Sequence, residues 1–227
     1  MTGKGEGDRT LRGGEGSGNG EEARGAEPAD PGSQDSSPQL DAFAVDLRDV
    51  LDRNVASLYS HLVTRPTGRA VRLAIESQLK ELGLPALSLV DLSSVAILDY
   101  SCADEVVAKL LLARRSPSAP HREVFFVFHG LREHHREPIL EVLDRHRLAA
   151  VTRGHEAGRD FELLGTVAEE EARAWTRLQA LRRVPALKIQ DAFPDPSERR
   201  TLDGLVQRGL IFRHPSRGDL HALSSLL

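Results

Sequence analysis

The sequence predicts an α/β protein: a mixed sheet with covering helices, a small C-terminal helix-and-hairpin unit, and a disordered N-terminal tail. Three observations carry this. Ala86 to Leu92 and Val124 to Phe128 are apolar on both faces, apart from Ser88 and Asp91, as suits strands covered on both sides. Stretches with helical apolar spacing alternate with these runs, which implies crossover connections and a parallel or mixed sheet. Residues 1–38 hold ten of the 19 glycines, and Leu11 is the only large aliphatic residue before Leu40.

In chain order, the tail (residues 1–38) lacks the apolar surface to offset its ordering entropy and is expected to be disordered. Residues 41–166 then form the sheet domain. Phe43, Val45 and Leu47 alternate, and Val55 to Tyr59 follows a turn at Asp52-Arg53-Asn54. Two strands are expected there, although Val50 to Leu62 also fits a helix. Gly68 to Leu82 has helical spacing through Val71, Ala74, Ile75, Leu79 and Leu82, with Gly83 as its stop and Pro85 opening the next strand.

After the strand Ala86 to Leu92 comes a loop, Ser93 to Leu98, and then a helix carrying Val106, Val107, Leu110 and Leu111. Ser101, followed by Asp104 and Glu105, reads as its N-cap, with the two acids in the first turn. Val124 to Phe128 is a second buried strand. Pro138 to Arg147 is a further helix, with Ile139, Leu140, Val142 and Leu143 apolar. Ala149 to Val151 and Phe161 to Leu164 read as short edge strands around the Gly154–Gly158 loop.

Residues 168–227 begin with a charged helix, Glu169 to Leu181, with Trp175, Leu178 and Leu181 on one side. A short helix is expected over Ala186 to Phe193. Asp195-Pro196-Ser197-Glu198 then starts a helix strongly: Asp as N-cap, Pro at the first position, Glu at the third. Leu202, Leu205, Val206 and Leu210 are its buried stripe. Ile211 to Arg213 and Leu220 to Leu223 flank the turn Pro215 to Asp219 as a hairpin.

Two resemblances accompany this reading. The run Val90-Asp91-Leu92-Ser93-Ser94-Val95, then Asp99-Tyr100-Ser101, then the helix from Cys102 to Leu112, resembles the centre of the STAS fold, the domain of anti-sigma-factor antagonists. The resemblance covers residues 43 to 165. Where the best-known members carry a first hydroxyl residue and a Gly, this chain has Tyr100 and Cys102. It implies a partner of the anti-sigma-factor or histidine-kinase-like class, met through Asp99, Tyr100, Ser101, Asp104 and Glu105. It also implies that Ser101 is a candidate phosphorylation site, the alternative being a helix cap that is never modified. The C-terminal order of helices and hairpin resembles a winged helix, with Leu205 to Ile211 similar to that family's helix-to-wing junction.

Composition bounds the function. Net charge is −4, so nothing global points to nucleic acid or an anionic membrane. No apolar run approaches the ~18 residues a membrane span needs, and the N-terminus lacks a signal peptide's apolar core, so a cytoplasmic protein is expected. The single cysteine, Cys102, adjoins acids, which raise rather than lower a thiol pKa. His129, His134 and His135 lack the i, i+4 spacing of ligands on one helical face, so no metal is expected. No phosphate loop, nucleophile elbow or catalytic constellation is present, and neither enzyme activity nor a cofactor is expected.

From residue 180 on there are eight Lys/Arg against five Asp/Glu, a surplus of +3 in a chain of −4. Arg199, Arg200, Gln207 and Arg208 on the long helix, with Arg213 and Arg217 on the wing, are therefore candidate DNA contacts. Asp195, Glu198 and Asp203 on the same helix oppose such a field, and winged helices also dock proteins. The sequence thus predicts a non-enzymatic regulatory protein, with a DNA-binding transcription regulator as the alternative.

Overall fold

A computed structural model describes residues 41–46, 61–80, 84–115, 123–154 and 161–227, for 41–46 the course of the backbone only. The expected disordered tail, the segment Val55 to Tyr59 and most of the Gly154–Gly158 loop lie outside the described residues. The described residues all belong to one compact unit.

The order is β1 (Asp41–Asp46), β2 (His61–Leu62), α1 (Arg65–Leu79), β3 (Ala86–Asp91), β4 (Ile97–Leu98) and α2 (100–115). Then come β5 (Val124–Leu131), α3 (Glu133–Arg145), β6 (Ala149–Gly154), β7 (Phe161–Gly165) and α4 (Glu169–Leu181). The chain closes with β8 (Arg183–Val184), α5 (Ile189–Ala192), α6 (Pro196–Arg208), β9 (Ile211–Arg213) and β10 (Leu220–Ala222). The main sheet runs β1-β3-β5-β6-β7, parallel except for β7. It is the expected mixed sheet. β6 is internal rather than an edge strand, because it pairs with β5 as well as β7.

Alternation along the strands feeds two cores. Val90, Val124, Phe126, Phe128 and Ala150 face α1, α2 and α3, which contribute Ile75, Val106, Leu110, Ile139 and Val142. Leu87, Phe125, Val127, Ala149 and Val151 face the other way, onto Trp175 and Leu178 of α4, Leu202 and Leu205 of α6, and Phe212 of β9. The C-terminal elements therefore cover the second face of the sheet. Phe125 meets Phe212 edge-on at 5.3 Å between ring centroids. The Trp175 indole N–H donates to the Leu210 carbonyl at 3.2 Å.

Several boundaries differ from expectation for local reasons. α3 begins at Glu133, not Pro138, because His135 Nδ1 accepts the Arg132 backbone N–H (3.2 Å) and closes the first turn. Pro138 lies inside the helix and is buried. On α4 the buried face is Ala174, Trp175 and Leu178, while Leu181 is exposed. The C-terminal hairpin gains a third strand, β8, in the order β8-β10-β9. α6 is capped by Asp195 as expected, its side chain accepting from Ser197 N, and stops at Gly209, which takes φ +74°.

Because one core joins the sheet to the C-terminal elements, Phe212→Ala should cost about 3–5 kcal/mol. Urea unfolding followed by far-UV circular dichroism and by Trp175 fluorescence should give one coincident transition. Separate midpoints would refute the joint core.

Candidate functional site: the Asp99–Ser101 turn and the charged network beneath it

β2 and β4 form a short parallel pair, with His61 opposite Ile97 and Leu62 opposite Leu98. The Asp99 N–H continues it, donating to the Leu62 carbonyl at 2.9 Å. Leu62 and Leu98 are buried, whereas Val63 and Ile97 are each 46% exposed and Tyr100 is 45% exposed. Three apolar or aromatic side chains thus bracket the turn that starts α2. The Tyr100 hydroxyl donates to Glu137 on α3 at 3.0 Å.

The helix cap is Asp99, not Ser101. Asp99 is extended at φ −87°, ψ 168°, and its Oδ1 accepts the Cys102 backbone N–H at 2.8 Å. The Ser101 hydroxyl, half-buried in the first turn, donates to the same carboxylate at 2.9 and 3.2 Å. An ionised carboxylate is the stronger acceptor, and one position earlier it reaches the same free amide. The Cys102 thiol donates to the Thr64 carbonyl at 3.0 Å; burial first, then the Asp99 charge, pushes its pKa up to about 12. Gly68 makes this approach of α1 and α2 close, since a Cβ there would lie 2.8 Å from the Cys102 Cα.

Asp104 and Glu105 do not serve the first turn either. They open a π-helical turn, Asp104–Ala108, and both are buried. A π-turn winds more residues per turn than an α-turn, so neighbouring side chains diverge less and both acids reach one cluster. Arg65 Nη1 lies 2.6 Å from Asp104 and 3.1 Å from Glu105; Arg72 Nε lies 3.2 Å from Glu105; Lys109 pairs with Glu105; His146 Nε2 lies 2.9 Å from Asp104. Burial would raise the Asp104 pKa, but the hydrogen bonds of Arg65 and His146, helped by the charges of Arg65 and Lys109, outweigh it and lower the pKa. Glu105 is likewise lowered against burial, by Lys109, Arg72 and Arg65. The network clamps α1, α2 and the end of α3 together beneath the turn.

No local pattern singles out Arg65, Arg72, Lys109 or His146. The i, i+4 pairs Arg72–Glu76 and Glu105–Lys109 were the one readable signal.

The candidate DNA contacts divide into two groups. Arg199 Nη1 donates to the Phe193 and Pro194 carbonyls, both at 2.7 Å. Arg208 lies 2.5 Å from Glu171 and also donates to the Thr166 carbonyl, and Arg213 lies 2.6 Å from Asp203. Arg200 and Gln207 are exposed on α6, and Arg217 is exposed in the turn between β9 and β10. Three of the six are thus held by partners within the chain, and three are exposed. Among the described residues no group of three His, Cys, Asp or Glu side chains could hold a metal, and no helix is long and apolar enough to cross a membrane. No family model, no curated protein and no solved structure matches this chain.

His135, at the base of α3, is fully buried; burial, then the charges of His134 and Arg132, lower its pKa to about 4, against a weaker pull from the Val95 backbone. An unfolded chain takes up that proton near 6.5, so stability should fall as pH drops from about 6.5 to about 4. The lowered carboxylates act in the same direction, their stabilisation being lost as pH falls through their folded pKa values. His135→Gln keeps an acceptor at the third helical position. Its melting temperature, measured across that window, should fall less steeply than the wild type's, and equal slopes would remove His135 as the cause.

Proposed function

We propose that this chain is a non-enzymatic, cytoplasmic regulatory protein that binds a protein partner through the surface around Asp99, Tyr100 and Ser101. The observation that carries the reading is the exposure of Val63, Ile97 and Tyr100 around a turn whose hydroxyl, Ser101, sits on a carboxylate. Scattered exposed apolar residues are ordinary; three around one rigid turn make a docking surface. The resemblance of this stretch to STAS domains suggests an anti-sigma-factor or histidine-kinase-like partner. In that scheme a phosphate on Ser101 would exchange a donated hydrogen bond for repulsion against Asp99, disturbing the cap and the docking face together. Asp104 and Glu105 act from below, fixing the helix, and do not meet the partner.

A second reading, a DNA-binding regulator, is supported by the order helix, strand, helix, helix, strand, strand over α4 to β10, which is that of a winged helix. The bonding of Arg199, Arg208 and Arg213 to partners within the chain weighs against it and favours a covering and protein-docking role for this unit.

Affinity capture from native lysate, with and without nuclease, tests both. A nuclease-resistant partner of the anti-sigma or kinase-like class should be recovered by wild type and Ser101→Ala, and lost with Ile97→Asp and Ser101→Asp. Equal recovery by all four proteins removes the docking surface. Recovery abolished by nuclease and by Arg200→Ala would instead make the C-terminal unit the functional end.

A further inference from the structure

On the other face of the sheet, a cleft of about 610 Å³ opens between the end of β6 and α4. It is lined by Arg153, Phe161, Thr176, Gln179, Arg182 and Ser224, among others. Its size is that of small-ligand pockets, and Arg153 places it at the carboxyl end of a parallel strand, where open α/β sheets bind ligands. We infer that this cleft is a binding site for a small planar organic anion, distinct from the docking surface around Ser101 and independent of that reading.

Three features point to this ligand chemistry. The first is uncompensated positive charge: no carboxylate pairs with the guanidinium of Arg153 or Arg182 among the described residues, although nearly every other arginine around this core is paired or bonded. Two forked donors across a cleft suit a carboxylate or phosphate group. The second is a flat apolar wall. The Arg153 guanidinium lies 5.9 Å from the centre of the half-buried Phe161 ring, so a planar ligand can stack beside the cation. The third is an unmet acceptor: Gln179 Oε1 is buried and receives no hydrogen bond. A buried oxygen without a donor is unfavourable, and a ligand N–H or O–H would satisfy it.

The backbone at Arg182 adds weight. This residue ends α4 at φ +63°, a conformation that favours glycine. It is fixed there from both sides, its N–H donating to the Leu178 carbonyl and its carbonyl accepting from Ala222 N, each at 2.8 Å. A glycine would hold this turn with less strain. An arginine nevertheless stands there, in the wall of a cleft that offers two open guanidiniums and an unmet acceptor.

Isothermal titration calorimetry on the full chain tests the inference with three probes. These are 4-aminobenzoate, which is flat with a carboxylate and an amine donor; adenosine monophosphate, flat with a phosphate and an amine donor; and inorganic phosphate. At least one organic probe should bind saturably, and which one binds identifies the anionic group. Arg153→Gln and Arg182→Gly should each weaken it by about tenfold or more. Arg200→Gln, on the exposed face of α6, should leave it unchanged. Arg182→Gly should melt no lower than the wild type, so lost binding there is not lost folding. The inference is overturned if neither organic probe binds, if binding survives both cleft substitutions, or if inorganic phosphate binds as tightly as the organic probes.

Discussion

Everything in this molecule depends on a sheet whose middle strand is apolar on both sides. In β5, Val124, Phe126 and Phe128 project to one face and Phe125 and Val127 to the other, all nearly inaccessible to water. At roughly 25 cal/mol per Å² of apolar surface, leaving either face wet would forfeit several kcal/mol for the phenylalanines alone. Two covering layers are therefore obligatory. Helices α1 to α3 provide the first, and the C-terminal elements, whatever else they do, provide the second. Two of the α6 arginines, Arg199 and Arg208, accordingly bond within the molecule. Arg208 reaches Glu171 and the Thr166 carbonyl, holding the cover to the strand-to-helix junction.

Buried charge under the Asp99–Ser101 turn obeys a harsher rule. Two adjacent carboxylates withdrawn from water are strongly unfavourable unless each is matched. Here Arg65, Arg72, Lys109 and His146 match them from two helices and a helix end. Such a cluster tolerates few geometries. Its contribution is to orientation more than to net stability: it fixes where α2 begins, and hence where Tyr100 and Ser101 stand.

What the sequence disclosed follows from what is local. The strands at Ala86 and Val124 were legible because burial on both faces leaves a largely apolar run. α1, α4 and α6 were legible from apolar spacing and, for α6, from Asp195-Pro196. What was not legible depends on partners far away in the chain. Ser101 and Asp99 are equally good caps on paper, and only the chain path fixed by the Leu62 carbonyl selects Asp99. Asp104 and Glu105 look like ordinary first-turn acids until α1 brings Arg65 and Arg72 against them. β6 reads as an edge because its short run, Ala149 to Val151, carries small residues; β7, Phe161–Gly165, pairs along its far side. Arg153 and Arg182, nearly thirty positions apart, carry no shared motif at all.

The helix that starts at the docking turn has a second end. α2 spans 100–115, about 24 Å at 1.5 Å per residue. At that far end Arg114 lies over the Phe125 ring at 4.4 Å and donates to the Gln207 and Val206 carbonyls at the close of α6. Gly209 leaves room for that guanidinium, since a Cβ there would sit 2.6 Å from Arg114 Nε. α2 thus meets both covering layers: its apolar side packs in the first, and Arg114 in its last turn bonds to the second. Changing the Arg114 side chain would therefore be felt in both layers at once, at the helix that carries it and at the carbonyls that close α6.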